Sequence, residues 1–150
     1  MENEETLEQF YKGLFKEILD KEYTEKPIRG GAARTFANPK VMAEKAVEYF
    51  SNSLKHGYPI TFEGLRVHMH LWRKENFYHY ANDVKQYKED FKKVTDIIRA
   101  IIERKYVEEL FGEHTSAARF VLSCNYGWVP AEKHIVENHN IEVNIGKKPE

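Results

Sequence analysis

The sequence has few of the features that identify enzymes, secreted proteins or membrane proteins. Its single cysteine, Cys124, excludes an intrachain disulfide and a cysteine-based zinc site. No apolar run approaches the roughly 18 residues that a membrane span needs, and the acidic start ENEETLEQF does not resemble a signal peptide. We therefore expect a cytoplasmic protein, and we expect Cys124, next to the apolar run Phe120–Leu122, to be a small buried residue.

Catalytic and metal-binding motifs are also missing from the sequence. It contains no GxxxxGK[ST] phosphate loop, no GxSxG, no GxGxxG and no HExxH. Among the seven histidines, His68 and His70 are two residues apart, which places them on different faces of a helix, and His134 and His139 are five apart. The sequence therefore predicts neither an enzyme nor a metal or cofactor site.

Charge is nearly balanced overall but unevenly distributed. The formal net charge is −1, yet residues 1–25 hold eight acidic and three basic residues, whereas residues 26–74 hold nine basic and three acidic ones. A basic excess within one segment is what phosphate contact requires. Chance clustering of charge on a solvated face is the alternative interpretation.

Hydrophobic spacing predicts a mainly α-helical chain of one compact domain or two small ones. Hydrophobic residues make up 41% and aromatic residues 13% of the sequence, which is enough for a buried core. Apolar residues recurring every three or four positions predict several helices. These helices span residues 6–21, 39–55, 62–69, 73–82 and 83–111, with a short helix at 116–122. Asn38 and Thr61 are predicted N-caps, and Gly57 is a predicted C-cap.

The most informative segment is residues 58–80, YPITFEGLRVHMHLWRKENFYHY. It predicts a helix-turn-helix, a unit that usually places its second helix in the DNA major groove. Arginine and lysine match guanine edges and phosphates, and asparagine matches adenine. The predicted DNA-binding residues of this segment are Arg66, Trp72, Arg73, Lys74, Asn76 and His79. The turn position usually held by glycine is His70, and a helical hairpin with a charged surface is the alternative.

A linker, TEKPIRGGAARTFAN at residues 24–38, precedes this segment. Pro27 and the pair Gly30–Gly31 interrupt any helix there. Arg29 and Arg34 flank the glycines, so a basic arm that follows phosphates or enters a minor groove is one interpretation. A plain solvated linker is the other.

The helix predicted at 83–111 carries an apolar stripe that one helix cannot bury alone, so we expect a helical hairpin or packing between subunits. Residues 134–145 alternate like a strand, which would need partners from other copies. The predicted oligomerisation residues are Phe91, Val94, Ile98, Ile101, Ile102, Phe120, Leu122 and Trp128.

With these pieces in place, residues 38–145 resemble the small terminase subunits of tailed bacteriophages. Residues 58–80 are similar to the family pattern P-T-x-x-G-L-A-x-x-L-G followed by an aromatic-rich helix. RFVLSCNYGWVPAEKH, at residues 119–134, is similar to the pattern F-x-L-K-N-x-x-G-W-x-D-K. The matching residues are Phe120, Leu122, Asn125, Gly127, Trp128 and Lys133. The chain departs from the family at His70, at Ser123–Cys124 and at the inserted residues 129–132.

The resemblance implies a non-enzymatic adaptor of the DNA-packaging motor in the host cell cytoplasm. Such proteins form rings of roughly eight to eleven subunits, bind the packaging site on double-stranded viral DNA, and recruit and regulate the large terminase subunit. The implied domains are an N-terminal helix with a basic linker, a helix-turn-helix module, a central helix or hairpin for oligomerisation, and a short β-strand with a tail. Their bounds are residues 1–37, 38–82, 83–130 and 131–150.

Two other functions fit the same residues. A dimeric helix-turn-helix transcription regulator would share the DNA-binding unit but match a palindromic half-site spacing. A protein whose helices serve only assembly would bind DNA weakly and with little salt dependence.

Overall fold

The computed structural model describes residues 4–23, 35–112 and 115–128. Within these ranges the chain forms seven helices and no strand, as expected of a mainly helical protein. The helices are α1 (Glu4–Leu14), α2 (Lys16–Leu19), α3 (Pro39–His56), α4 (Phe62–His68), α5 (Lys74–Asn82), α6 (Lys88–Glu109) and α7 (Thr115–Tyr126). The strand predicted at 134–145 lies outside the described residues, as do Arg29 and Arg34. No helix in the described part of the chain is long and apolar enough to cross a membrane.

The chain divides into two compact units, and the division falls within α6, between Ile102 and Glu103. The first unit contains α1 to α5 and most of α6, and the second contains the end of α6 and α7. This division differs from the predicted boundary at residue 83. Side chains at the start of α6 pack within the first unit, as Phe91 does against Tyr80 of α5.

The helix predicted at residues 6–21 is divided into α1 and α2 at Phe15, and both pieces pack against α3. Tyr11, Phe15 and Ile18 are buried, and the Tyr11 ring stacks on Phe50 of α3 with ring centroids 5.3 Å apart. Phe10 and Leu14 stay exposed. The predicted apolar face is therefore only partly covered, and what covers it is the body of the same chain.

Helix α3 begins and ends where the sequence predicts. The Asn38 side-chain oxygen accepts a hydrogen bond from the Val41 N–H at 3.0 Å, and Pro39 occupies the first helical position. At the other end, Gly57 adopts a left-handed conformation with φ 71°. The Tyr58 N–H donates to the Ser53 carbonyl at 2.8 Å, which closes the helix in the Schellman pattern.

The long helix α6 has 22 residues and begins at Lys88, five residues later than predicted. The N–H groups of Asp83 and Val84 both donate to the His79 carbonyl, which closes α5. Tyr87 then takes a left-handed conformation with φ 59°, and a bulky residue in that region interrupts a helix. The predicted helix over 83–111 is therefore wrong at its start, because periodicity continues across a backbone turn that it cannot detect.

A cluster of charged and hydroxyl groups joins the chain after α2 to the start of α6. Lys21 and Tyr23 donate hydrogen bonds to the Asp90 carboxylate at 3.1 and 2.7 Å, and Lys93 pairs with Glu17. Burial raises the pKa of the Asp90 carboxyl, but the hydrogen bonds from Tyr23 and Lys21 more than offset burial, so the pKa lies below its usual value.

In the second unit, α7 runs four residues beyond its predicted end. Ala118 and Leu122, four residues apart, are buried, whereas Phe120 and Cys124 are exposed. The prediction that Cys124 is buried is therefore wrong, because the helical register turns its side chain away from the face that carries Ala118 and Leu122. Gly127 has φ 73° after the helix, and the Trp128 indole N–H donates to the Glu103 carboxylate at 2.8 Å.

Candidate nucleic-acid interface

At the candidate interface, the side chain of Tyr49 connects α3 to α4. The Tyr49 hydroxyl donates to the Thr61 carbonyl at 3.2 Å and accepts from the Thr61 N–H at 3.1 Å. Thr61 caps α4, with its hydroxyl oxygen accepting from the Gly64 N–H at 2.9 Å. A Cβ atom at position 64 would overlap the Tyr49 hydroxyl. Glycine is therefore needed here because two helices approach closely.

At the end of α4, His70 takes the left-handed backbone conformation that glycine usually adopts in such a turn. His70 has φ 59°. Its N–H donates to the Val67 carbonyl at 3.1 Å, and the Leu71 N–H donates to the Arg66 carbonyl at 2.8 Å, which together form a Schellman motif. Leu71 is buried, as the apolar contact of that motif requires. His70 thus adopts a backbone conformation for which glycine is the usual residue.

Aromatic packing then fixes α5 against α4 and α6. Phe62 of α4 meets the buried Phe77 of α5 edge to face, with ring centroids 5.0 Å apart. Tyr80 packs against Phe91 of α6 at 5.0 Å and accepts a hydrogen bond from the Phe36 N–H at 3.1 Å. The core beneath these helices also contains Leu65, Met69 and Leu71, which are buried. The start of α5 is thus held by a packed core rather than by a mobile loop.

Five consecutive residues, 72–76, are exposed where α5 begins. Trp72 keeps 67% of its surface accessible to solvent, and Arg73 and Lys74 are exposed. The Arg73 side chain lies 3.6 Å from Glu75, but both side chains are more than half exposed, so this pair is weak. We refer to Trp72, Arg73 and Lys74 as the α5 corner.

Asn76 and His79 lie on α5 beyond this corner, and each already has a partner. The Asn76 side-chain oxygen accepts from the Arg73 N–H at 3.2 Å, which closes the first turn of α5. A bidentate contact to adenine uses that same oxygen, so reading adenine would open the turn. His79 lies 3.8 Å from Asp83, in an exposed pair.

Arg66 does not extend outwards as a phosphate ligand would. It is half-buried, and its Nη1 atom donates to the Trp72 carbonyl at 3.0 Å and more weakly to the Leu71 carbonyl at 3.4 Å. Its guanidinium carbon lies 5.3 Å from the centre of the Phe62 ring. This bridge to residues five and six positions further on cannot be found from helical spacing, which pairs residues three and four apart.

His68, which sequence reasoning had left without a role, packs between α4 and α3. Its ring lies 5.7 Å from Tyr49, and its Nε2 atom lies 3.3 Å from a Glu48 carboxylate oxygen without hydrogen-bond geometry. Burial lowers the pKa of His68, and Glu48 opposes that shift. His68 is therefore held mainly neutral near pH 7. Within the described residues, no group of three or more His, Cys, Asp or Glu could hold a metal ion.

The predicted oligomerisation residues differ in how they are placed. In the first unit, Phe91, Val94, Ile98 and Ile102 are fully buried within the chain, and only Ile101 is partly exposed. In the second unit, Leu122 is buried, whereas Phe120 and Trp128 are exposed. The apolar stripe of α6 thus has partners inside its own chain, and a neighbouring subunit would meet other residues. Phe111 is also exposed, with 89% of its surface accessible.

Comparison of the chain with protein-family models, with curated proteins and with solved structures finds no match.

Proposed function

We propose that the chain binds double-stranded DNA through the α5 corner, and that it serves as the small terminase subunit of a tailed phage. In this role it would recognise the packaging site and recruit the large terminase subunit. The observation that carries the proposal is the exposure of Trp72, Arg73 and Lys74 at the start of a helix held by a packed core. A cationic helix start with an adjacent aromatic side chain suits both phosphate contact and groove contact.

The DNA-binding part of the proposal is tested by removing the two charges of the corner. Arg73→Ala combined with Lys74→Ala should weaken binding to duplex DNA and reduce the slope of log K against log salt by roughly one to two units. Fluorescence anisotropy of a labelled duplex, titrated at several salt concentrations, measures both quantities.

The matched control is Arg104→Ala combined with Lys105→Ala, which removes the same two residue types from neighbouring positions of the second unit. Arg104 and Lys105 are both near Glu108, at 3.1 and 3.4 Å. The control should change affinity much less than the corner variant. Equal losses for the two variants would show that only net charge matters, and the α5 corner would not be the DNA surface.

The packaging part of the proposal is tested by the number of subunits in the assembly. Native mass spectrometry should give a closed assembly of roughly eight to eleven copies. The alternative is a dimeric transcription regulator, and the burial of the α6 stripe within its own chain favours it, because a buried stripe offers little surface for joining many subunits. A clean dimer would favour the regulator, and a monomer would contradict both functions.

A further inference from the structure

The proposed DNA-binding corner depends on a side chain that lies behind it. The Arg66 guanidinium bonds the carbonyls of Leu71 and Trp72, while the Arg66 carbonyl accepts from the Leu71 N–H. The side chain and the backbone of one residue thus hold the same short segment. Hydrogen bonds from a charged donor are stronger than neutral ones, so this contact restricts the segment between α4 and α5.

Trp72 is the side chain that this segment presents. Its carbonyl is bonded by Arg66, and the next peptide N–H, that of Arg73, is bonded by Asn76. Its ring touches His70 edge-on, with ring centroids 5.5 Å apart, and two-thirds of the residue stays exposed. An indole whose backbone is held but whose ring is left uncovered is suited to contact a partner, because the backbone that carries it is already ordered before binding.

We propose that Arg66 is a positioning residue, and that it acts on DNA through Trp72, whose indole packs on a deoxyribose of the duplex backbone. This inference rests on the proposed function. It reverses the sequence-based prediction that Arg66 contacts DNA itself. The half-buried guanidinium lies over Phe62 and bonds two carbonyls through its Nη1 atom, and its Nε atom is buried, so few of its donors are left to reach a phosphate.

The two roles of Arg66 differ in their salt dependence. A lost phosphate contact lowers the salt slope by about 0.9 units, because one counterion fewer is released. A lost positioning contact weakens binding at every salt concentration and leaves the slope unchanged. Arg66→Met should therefore reduce DNA affinity about tenfold, the equivalent of losing one hydrogen bond from a charged donor, with the slope of the wild-type protein.

The mobility of the Trp72 side chain can be measured in the absence of DNA. Labelling with 5-fluorotryptophan gives one fluorine resonance for each of the two tryptophans, and Trp72→Phe assigns them. Arg66→Met should sharpen and shift the Trp72 resonance of the free protein towards that of a mobile indole, while Trp128 serves as the internal reference. Arg66→Lys keeps the charge but has a shorter side chain and no planar guanidinium to lie over Phe62, so it should behave like Arg66→Met.

The test is completed by measuring binding to a mixed-sequence duplex between about 50 and 200 mM salt. The variants to compare with the wild-type protein are Arg66→Met, Arg66→Lys, Trp72→Ala and the Arg66→Met/Trp72→Ala double variant. We expect the double variant to bind no more weakly than Trp72→Ala, because Arg66 acts through Trp72. A lower slope with an unchanged Trp72 resonance, or additive losses, would make Arg66 a phosphate ligand and overturn the proposal. If the wild-type protein does not bind the duplex, the proposed function fails, and the fluorine spectra still decide whether Arg66 orders Trp72.

Discussion

Helices α3 and α4 end in the same hydrogen-bond pattern but with different residues at the left-handed position. Gly57 and His70 have φ values of 71° and 59°, and in both turns the next N–H reaches a carbonyl five residues back. The residue that follows is exposed in one turn and buried in the other, since Tyr58 is 64% and Leu71 2% accessible. The first turn ends a helix, whereas the second also anchors the next one.

The difference between the two turns shows which contacts offset the strain of a left-handed residue that is not glycine. Glycine reaches the left-handed region without steric cost, whereas an L side chain there costs roughly 1–2 kcal/mol. At the α4 turn, this cost is offset by the burial of Leu71, by the Arg66 bridge and by the contact between His70 and Trp72. Strained residues of this kind are concentrated at functional sites, which agrees with the position of the α5 corner beside this turn.

The largest expected change in stability comes from a substitution between the two turns, where α4 packs against α3. Gly64→Ala should destabilise the protein by about 1–3 kcal/mol, because the new methyl overlaps the buried, doubly bonded Tyr49 hydroxyl. Chemical denaturation monitored by circular dichroism measures this change.

Gly13→Ala is the matched control, because Gly13 lies within α1 and a Cβ there meets nothing within 4 Å. It should stabilise the protein by up to about 1 kcal/mol through helix propensity. Tyr49→Phe should lessen the cost of Gly64→Ala in a double-mutant cycle, since the overlapping oxygen is removed. Equal effects of Gly64→Ala and Gly13→Ala would show that α3 and α4 do not approach closely at this point.

Substitutions at the two left-handed positions should change stability in opposite directions. Gly57→Ala should destabilise the protein by about 1 kcal/mol, and His70→Gly should stabilise it by up to about 1 kcal/mol. Thermal denaturation of both variants measures the pair. If His70→Gly is instead destabilising, the contact between His70 and Trp72 contributes more than the backbone strain costs.

The sequence predicted the helices of the first unit well, because their ends carry strong local signals. Asn38, Thr61 and Gly57 act through residues at most four positions away, and each occupies its expected place. The start of α6 was missed, since the left-handed Tyr87 lies inside an unbroken apolar pattern. The partner of the α6 stripe was left open between a helical hairpin and another subunit, and in the structure the stripe is buried within its own chain. Periodicity identifies which face of a helix is apolar but not what covers it.

The side chains of the candidate site make contacts that the sequence did not predict. Arg73 and Lys74 are exposed, as charged residues mostly are, and Trp72, which the sequence left either packed or in contact with DNA, is exposed as well. Arg66 and Asn76 instead bond the backbone of the corner, and both were predicted to contact DNA. A basic or amide side chain looks the same in sequence whether it meets a ligand or a nearby carbonyl or N–H, so only three-dimensional contacts separate the two roles.

The smallest expected effect is a pH dependence of the free energy of unfolding that arises from His68 of α4. The charged and titratable groups facing His68 are Glu48, Lys45 and His70, and burial is the largest cause of its lowered pKa. Because the folded protein binds the His68 proton more weakly than the unfolded chain does, stability should be full above the unfolded pKa of about 6.5 and should fall as the pH drops through it.

Urea midpoints at mildly acidic and neutral pH should therefore differ more for the wild-type protein than for His68→Gln, which cannot be protonated. His56→Gln, at the exposed end of α3 beside Gly57, controls for the replacement of a histidine by glutamine. If His68→Gln keeps the wild-type pH dependence, the acid sensitivity arises elsewhere, and the Asp90 carboxylate bonded by Tyr23 and Lys21 becomes the group to test at lower pH.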